Sequence, residues 1–236
     1  PLDTKDLLDA MAAAGKQGAF IFWNHPGWIP EKKGWFDIHT TLYEKKLMRG
    51  IEVVNGGSYY PEAHDWALEK DLTFMGNSDI HSPSMIQRTT QADHRTMTLV
   101  FARKKSLDAV KEALFAGRTV VWYQKQLIGR AEYLEAIFRA AVSITDIEYG
   151  QNNLVRFRLN NESDLDLDLE RTGKLGPKTL TLAAGSVLAI KTKVADLKAP
   201  VELEYTVRNF LIGPSKGLPV RVTIPGQLMI EVDVKL

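Results

Sequence analysis

The chain has no cysteine. Disulfides and thiolate metal sites are therefore excluded, and any metal ion must be held by histidine, aspartate or glutamate. Histidine is itself scarce, five residues in 236, so each one at the end of an apolar run carries weight. A surplus of one charge sign is also lacking. With a formal net charge of +1, no global field steers the molecule toward nucleic acid or a membrane surface. No apolar run approaches the roughly 18 residues that a membrane-spanning helix needs. An initiator Met and a signal peptide are both missing at Pro1, which reads as the start of a mature or truncated piece. What is present, 44% hydrophobic and 25% charged residues, is the composition of a globular protein with one large domain or two ordinary ones.

The first part of the chain alternates strands and helices. Leu2 to Lys16 has a helical apolar face in Leu7, Leu8, Met11 and Ala12, with Asp3 or Thr4 as cap. Ala19 to Trp23 is a continuous apolar run, which predicts a strand buried on both faces and hence a parallel sheet. A helix over His39 to Met48 comes next, then a strand over Gly50 to Asn55. Pro61 suits the first turn of a helix running to Lys70. Leu72 to Met75 is the next strand, cut off by Gly76 and succeeded by Asp79-Ile80-His81. Strand-helix units in this succession predict a parallel sheet or barrel. Past a polar loop, Ser84 to His94, come a strand over 95–102, a helix over 107–116 capped by Ser106, a final short strand over 119–123, and a helix over 131–140 packing on the first layer.

From Val142 onward no helix is expected. Short alternating runs at 154–159, 165–169, 187–190 and 201–207 are punctuated by Gly, Pro and Asn, which predicts an antiparallel β-sandwich. The domains are thus placed at 1–141 and 142–236. The acidic run Asp164, Asp166, Asp168, Glu170 alternates with Leu165, Leu167 and Leu169, and reads as the outward face of a strand rather than a calcium loop.

Metal-competent groups recur at strand ends: His25, then Asp79 with His81, with Glu52 as a further option three residues before its own strand end. On an extended chain Asp79 and His81 point the same way, and a carboxylate with an imidazole suits a shared cation. The C-terminal rim of a barrel is where such groups act together. A divalent cation there polarises a phosphoryl oxygen and lowers the pKa of bound water. Arg95, with His94 beside it, either clamps a phosphate or pairs with a surface carboxylate, and the residues alone favour the second. Trp23, Trp28 and Trp35 are candidates to line a pocket. His39 and His64, on helices, read as structural.

Phe20 to Trp28 (with Trp23-Asn24-His25-Pro26-Gly27), Gly50 to Asn55, Gly76 to His81 and His94-Arg95-Thr96 together resemble the PHP (polymerase and histidinol phosphatase) superfamily, in its phosphodiesterase-like branch with a C-terminal β-domain. The resemblance covers about residues 1–125. It implies a distorted (β/α)7 barrel holding two or three divalent ions (Zn, Mn or Fe) that hydrolyses phosphomonoesters or phosphodiesters by metal-bound hydroxide. It also implies metal-ligand roles for His25, Asp79 and His81. Beside it, the phosphate-clamp reading of the residues themselves gives Arg95 and His94 catalytic roles in orienting the phosphate, and Trp28 and Asn24 are read as substrate contacts. The family opens with a His-x-His strand that this sequence lacks, so the chain reads as the C-terminal part of such a barrel, followed by the β-sandwich. A missing N-terminal segment then becomes a partner in completing the site, alongside a small phosphorylated substrate.

Two other readings stand beside this one. The barrel part is an inactive support and the β-domain a binding or interaction module, or the barrel cleaves C–N bonds in the manner of amidohydrolases. The appended β-domain and the absence of cysteine lean toward a periplasmic or exported location.

Overall fold

A computed structural model describes residues 6–29, 33–82 and 94–227. The chain divides into two compact units, Pro1–Tyr133 and Leu134–Leu236. The first contains α1 (Leu7–Lys16), β1 (Phe22–Trp23), α2 (Asp37–Glu44), β2 (Gly50–Asn55), β3 (Ser58–Tyr59), α3 (Pro61–Glu69), β4 (Thr73–Asn77), β5 (Met97–Val100), α4 (Leu107–Phe115), β6 (Thr119–Tyr123) and β7 (Gln126–Gly129). Helix α5 (Ala131–Ala141) comes next, and its residues from Leu134 onward belong to the second unit.

Helix α1 is capped by Asp6, whose Oδ1 accepts the backbone N–H of Leu8 at 2.7 Å and of Asp9 at 3.2 Å. The expected caps Asp3 and Thr4 lie outside the described residues. Ser106 caps α4 as expected, accepting from Ala109 N–H at 3.3 Å, and Pro61 opens α3. These ends are local chemistry, each satisfying an N–H that the helix itself leaves unbonded.

Strand β2 is the centre of a parallel sheet, with β1 on one side and β4 on the other. Ile51, Val53, Val54 and Phe74 have no exposed surface, and each fully buried side chain of this size contributes about 1.5–3 kcal/mol. Gly76 in β4 is required by this packing. A Cβ there would collide with Val121 Cγ1 of β6.

The sheet departs from the expected one in three ways. Strand β1 is shorter than the apolar run Ala19 to Trp23 and only half-buried. Among the described residues it pairs with β2 alone, so one of its edges is free. Strand β6 runs antiparallel to both β5 and β7, and all three lie outside the β1–β4 sheet, because continuous apolar character reports burial on two faces and says nothing of direction. Finally, the strand over 119–123 is not the last of its unit. Gln124, in the left-handed region at φ 50, turns the chain directly into β7, without the Asn-Gly or Asp-Gly that marks most two-residue hairpins.

The second unit holds β8 (Val142–Gly150), a 3₁₀ turn (Gln151–Asn153), β9 (Leu154–Asn161), β10 (Leu167–Arg171), β11 (Thr179–Leu182), β12 (Val187–Lys193), β13 (Val201–Gly213) and β14 (Lys216–Ile224). Strand β9 lies between β12 and β8. Strands β11, β10, β13 and β14 pair in that order, all antiparallel. Alternation works as the sequence predicts. Leu165, Leu167 and Leu169 are buried, while Asp168 accepts from Thr181 Oγ1 and Glu170 pairs with Arg208. Among the described residues no helix is long and apolar enough to cross a membrane.

Candidate functional site

The first unit gathers its polar residues where β1, β2 and β4 end. The side chain at their centre is Glu52, which is buried at 1% exposure. Its Oε2 accepts the backbone N–H of His25 at 2.5 Å. Its Oε1 accepts Nδ2 of Asn77 at 2.5 Å and of Asn55 at 3.3 Å. One carboxylate thus ties together the ends of three strands. No lysine or arginine pairs with it among the described residues, so these N–H dipoles alone offset the cost of its burial.

Backbone irregularity makes this possible. Glu52 and Asn55 are three positions apart and would face opposite ways on a regular strand. The β2–β4 ladder shifts register between Glu52 and Val54, and such a bulge adds one residue and re-aims the side chains beyond it. Asn55 then lies opposite Asn77 in the ladder, and both amides reach Glu52.

His25 sits two residues past β1 in the left-handed region, at φ 32. That conformation costs a non-glycine residue roughly 1–2 kcal/mol, which a hydrogen bond to a carboxylate, about 1.5–3 kcal/mol, is large enough to offset. The carbonyl of His25 accepts from Trp28 N–H at 3.0 Å, and its ring meets Trp28 edge to face at 5.4 Å. Gly27 lies so close to Tyr60 that a Cβ would come within 2.6 Å of its ring, which fixes the Pro26-Gly27 turn against β3 and α3. Burial, and after it the carboxylates of Glu52 and Asp79, push the Tyr60 phenol above its usual range.

Asp79 is also left-handed, at φ 51. Its Oδ1 lies 3.1 Å from Nε2 of His81, and both side chains are exposed. Two donors each about 2.0–2.2 Å from one ion stand roughly 3 Å apart, so this pair suits two neighbouring positions of a metal shell. Gly56 turns the chain beside Asp79. That turn is held by Thr96 Oγ1 donating to the Gly56 carbonyl at 2.6 Å and Tyr123 donating to the Gly57 carbonyl at 2.7 Å.

The structure therefore brings Asp79 and His81 together and leaves His25 apart from them. Among the described residues no three His, Asp or Glu side chains converge as a metal cluster. His94 is engaged elsewhere: Nδ1 lies 2.8 Å from its neighbour's carbonyl at Arg95, Nε2 lies 2.7 Å from that of Gln124, and the ring packs on Trp122. Arg95 is half-buried, and no carboxylate pairs with its guanidinium among the described residues. Asn24, His25 and Trp28 line a cavity of about 690 Å³ along β1, whose remaining walls, Leu7, Met11, Phe22 and Phe36 among them, are mostly apolar. Trp28 is 69% exposed.

Trp23 lines the same cavity and also belongs to a stacked cluster, with His39 at 3.6 Å and Trp66 at 5.5 Å, and with Trp35 edge-on. Burial lowers the pKa of His39. Glu52's central place, with Asn55 and Asn77, is what sequence reasoning missed. Only the repeat of Asn at two strand ends hinted at it.

A family model, the DUF5001 Ig-like domain, matches residues 142–223. The crystal structure of a two-domain protein from Bacteroides vulgatus, containing a predicted PHP-like metal-dependent phosphoesterase, is similar to this chain at a TM-score of 0.87 and 38% identity. The likeness covers 95% of this chain and 67% of that one. No curated protein matches the chain.

Proposed function

Since the chain belongs to the same family as that two-domain protein, we propose that it carries part of a metal-dependent phosphoesterase site at the ends of β1, β2 and β4. The observation that carries this reading is the meeting of Asp79 Oδ1 and His81 Nε2 at 3.1 Å on the turn leaving β4. These two side chains would supply two ligands to a divalent cation of the Zn, Mn or Fe kind. His25, which stands apart from them, would join the shell only once further ligands are in place. Bound there, the cation supplies Lewis-acid polarisation of a phosphoryl oxygen and a more acidic water.

The chain's own residues do the rest. Arg95 orients a phosphoryl oxygen through its fixed fork of N–H donors. Asn24 offers an exposed amide at the mouth of the cavity, and Trp28 gives an apolar wall for the leaving group. Three donors do not complete a site for two or three ions. The reading therefore includes further ligands from outside the described residues.

We assign them to an additional parallel strand on the free edge of β1. Such a strand would cover the apolar cavity and end beside His25 at the same rim. The Bacteroides relative is longer than the 67% of its chain that is covered, which leaves room for a strand-helix unit of this kind.

Metal content by elemental analysis, on this chain and on a form extended to the relative's length, tests the reading. Both are assayed on a chromogenic phosphodiester and monoester, with Asp79→Ala and His81→Ala as controls. Two or three ions and hydrolysis in the extended form, both lost in the variants, are expected. Absence of metal from both forms, with activity indifferent to Asp79 and His81, leaves a second reading. In that case the first unit is a support and the Ig-like domain a binding module. The lack of a three-ligand cluster among the described residues favours that alternative.

A further inference from the structure

We infer that the outer edge of β12 is a docking site for an extended peptide strand that carries acidic side chains two positions apart. The site lies wholly in the second unit and does not depend on the metal reading of the first.

The ladder shows which backbone groups are on offer. Asn161 N–H donates to the Ser186 carbonyl at 2.9 Å, and bonded pairs alternate along an antiparallel ladder. Leu188, Ile190 and Thr192 therefore direct their N–H and C=O groups to β9, opposite Leu159, Phe157 and Val155. Val187, Ala189, Lys191 and Lys193 turn theirs away from it, and among the described residues β12 has no second neighbour. Such a row is a template for a further strand.

Other edges of this unit are blunted. Strand β8 shifts register between Thr145 and Glu148, with Asp146 left-handed at φ 51, and a bulge of this kind spoils a template. Strand β14 carries Pro219, which has no N–H to offer, and β11 has only four residues. Strand β12 has seven, without proline or glycine, and keeps one register against β9 throughout.

Side chains select the chemistry of the occupant. Lys191 and Lys193 are exposed, and no carboxylate pairs with either among the described residues. Lys191 lies directly opposite Arg156, and like charges so placed weaken a sheet. Glu148 opposes Arg156 from β8, on the far side from Lys191. A strand added antiparallel to β12 sets two of its residues directly opposite Lys191 and Lys193, and carboxylates there make two opposite-charge pairs. At the other end Val187 is exposed and offers an apolar contact.

The experiment titrates the full chain with a synthetic peptide, Thr-Glu-Val-Glu-Val-Thr-Val-Val, and with the same peptide carrying lysine in place of glutamate. Calorimetry gives the affinity and NMR the amide-proton exchange. In the free chain the Ala189 and Lys191 amides should exchange fast and that of Ile190 slowly. The acidic peptide is expected to bind, to slow exchange at Ala189 and Lys191, and to bind roughly tenfold more tightly than the basic one. Lys191→Glu combined with Lys193→Glu should invert that preference. Ala189→Pro removes an outward N–H and leaves the bonds to β9 in place, and should weaken the acidic peptide roughly 2–10-fold. Should Ala189→Pro not fold, the charge-reversed variant decides alone. Binding of neither peptide, equal binding of both, or binding that leaves the Ala189 and Lys191 amides exchanging as before overturns the inference.

Discussion

The hydroxyl of Tyr59 lies 2.8 Å from Nδ1 of His64, while Nε2 of the same ring is buried with no hydrogen-bond partner among the described residues. The ring packs edge to face on Phe74 at 5.2 Å and has no exposed surface. Burial holds its pKa down at about 4. Burial, then Asp65 and Glu62, push the Tyr59 phenol up to about 12. His64 therefore sits neutral in the helix-sheet interface and has no route to accept a proton without opening it.

A pH dependence arises from that pair. The unfolded chain protonates His64 near 6.5 and the folded chain only near 4, so between these values the unfolded state binds more protons. Stability is then complete above pH 6.5 and falls as pH drops toward 4, by roughly 3 kcal/mol in all. Urea midpoints near pH 7 and pH 4 for the parent and His64→Leu check this. The parent should lose more than the variant, and equal losses would count against it.

Gly76→Ala should destabilise the first unit. The added Cβ meets Val121 Cγ1 and, at 3.2 Å, Thr96 Cγ2, and overpacking of this kind costs about 1–3 kcal/mol. Thermal melts of Gly76→Ala, Val121→Ala and the double variant should show strong non-additivity, the second change relieving part of the first. Additive losses would mean the contact does not exist.

In the second unit Asn161 is buried. Its Nδ2 donates to the carbonyls of Leu165, at 2.8 Å, and Leu182, at 3.0 Å, and its Oδ1 accepts from Ser163. Asn161→Ala strands those carbonyls and should cost roughly 2–3 kcal/mol. Among the described residues the side chain of neighbouring Asn160 bonds to the Ser143 and Thr145 hydroxyls, and Asn160→Ala should be near neutral. Equilibrium unfolding of the two variants compares them directly.

Arg95 and His94 should separate in kinetics. If Arg95 is the phosphate clamp of the proposed function, Arg95→Ala in the extended form is expected to lower kcat/KM on a phosphodiester by about 10–100-fold, or roughly 1.4–2.7 kcal/mol, with the fold intact. His94→Ala removes the ring's contacts with two main-chain carbonyls and should show mainly as a lower melting temperature. Steady-state assays paired with melts of the metal-loaded protein distinguish them, and the reverse pattern would exchange their roles.

Much of the architecture is legible from composition and period alone. The apolar run Leu72 to Met75 marks β4, because a strand covered on both faces has few polar positions to spare. Leu165, Leu167 and Leu169 mark a half-buried strand because alternation is the period of a pleat. Ser106 and Pro61 announce helix starts by bonds made within a few residues. Asp79 and His81 are readable as a pair from their spacing, but an extended chain is not what joins them, since Asp79 is left-handed, at φ 51, on the turn leaving β4.

Long-range relationships were decided by the tertiary structure. The directions of β5, β6 and β7 depend on which edges meet, and an apolar residue carries no sign for that. The half-burial of β1 depends on having one neighbour among the described residues rather than two. His94 was drawn to the carbonyl of Gln124, thirty residues away. Glu52 became the centre of the rim through a register shift in β2 and an N–H from His25, twenty-seven positions earlier. Local periodicity encodes which face a residue takes, whereas a buried carboxylate finds its donors only after three strands have already packed side by side.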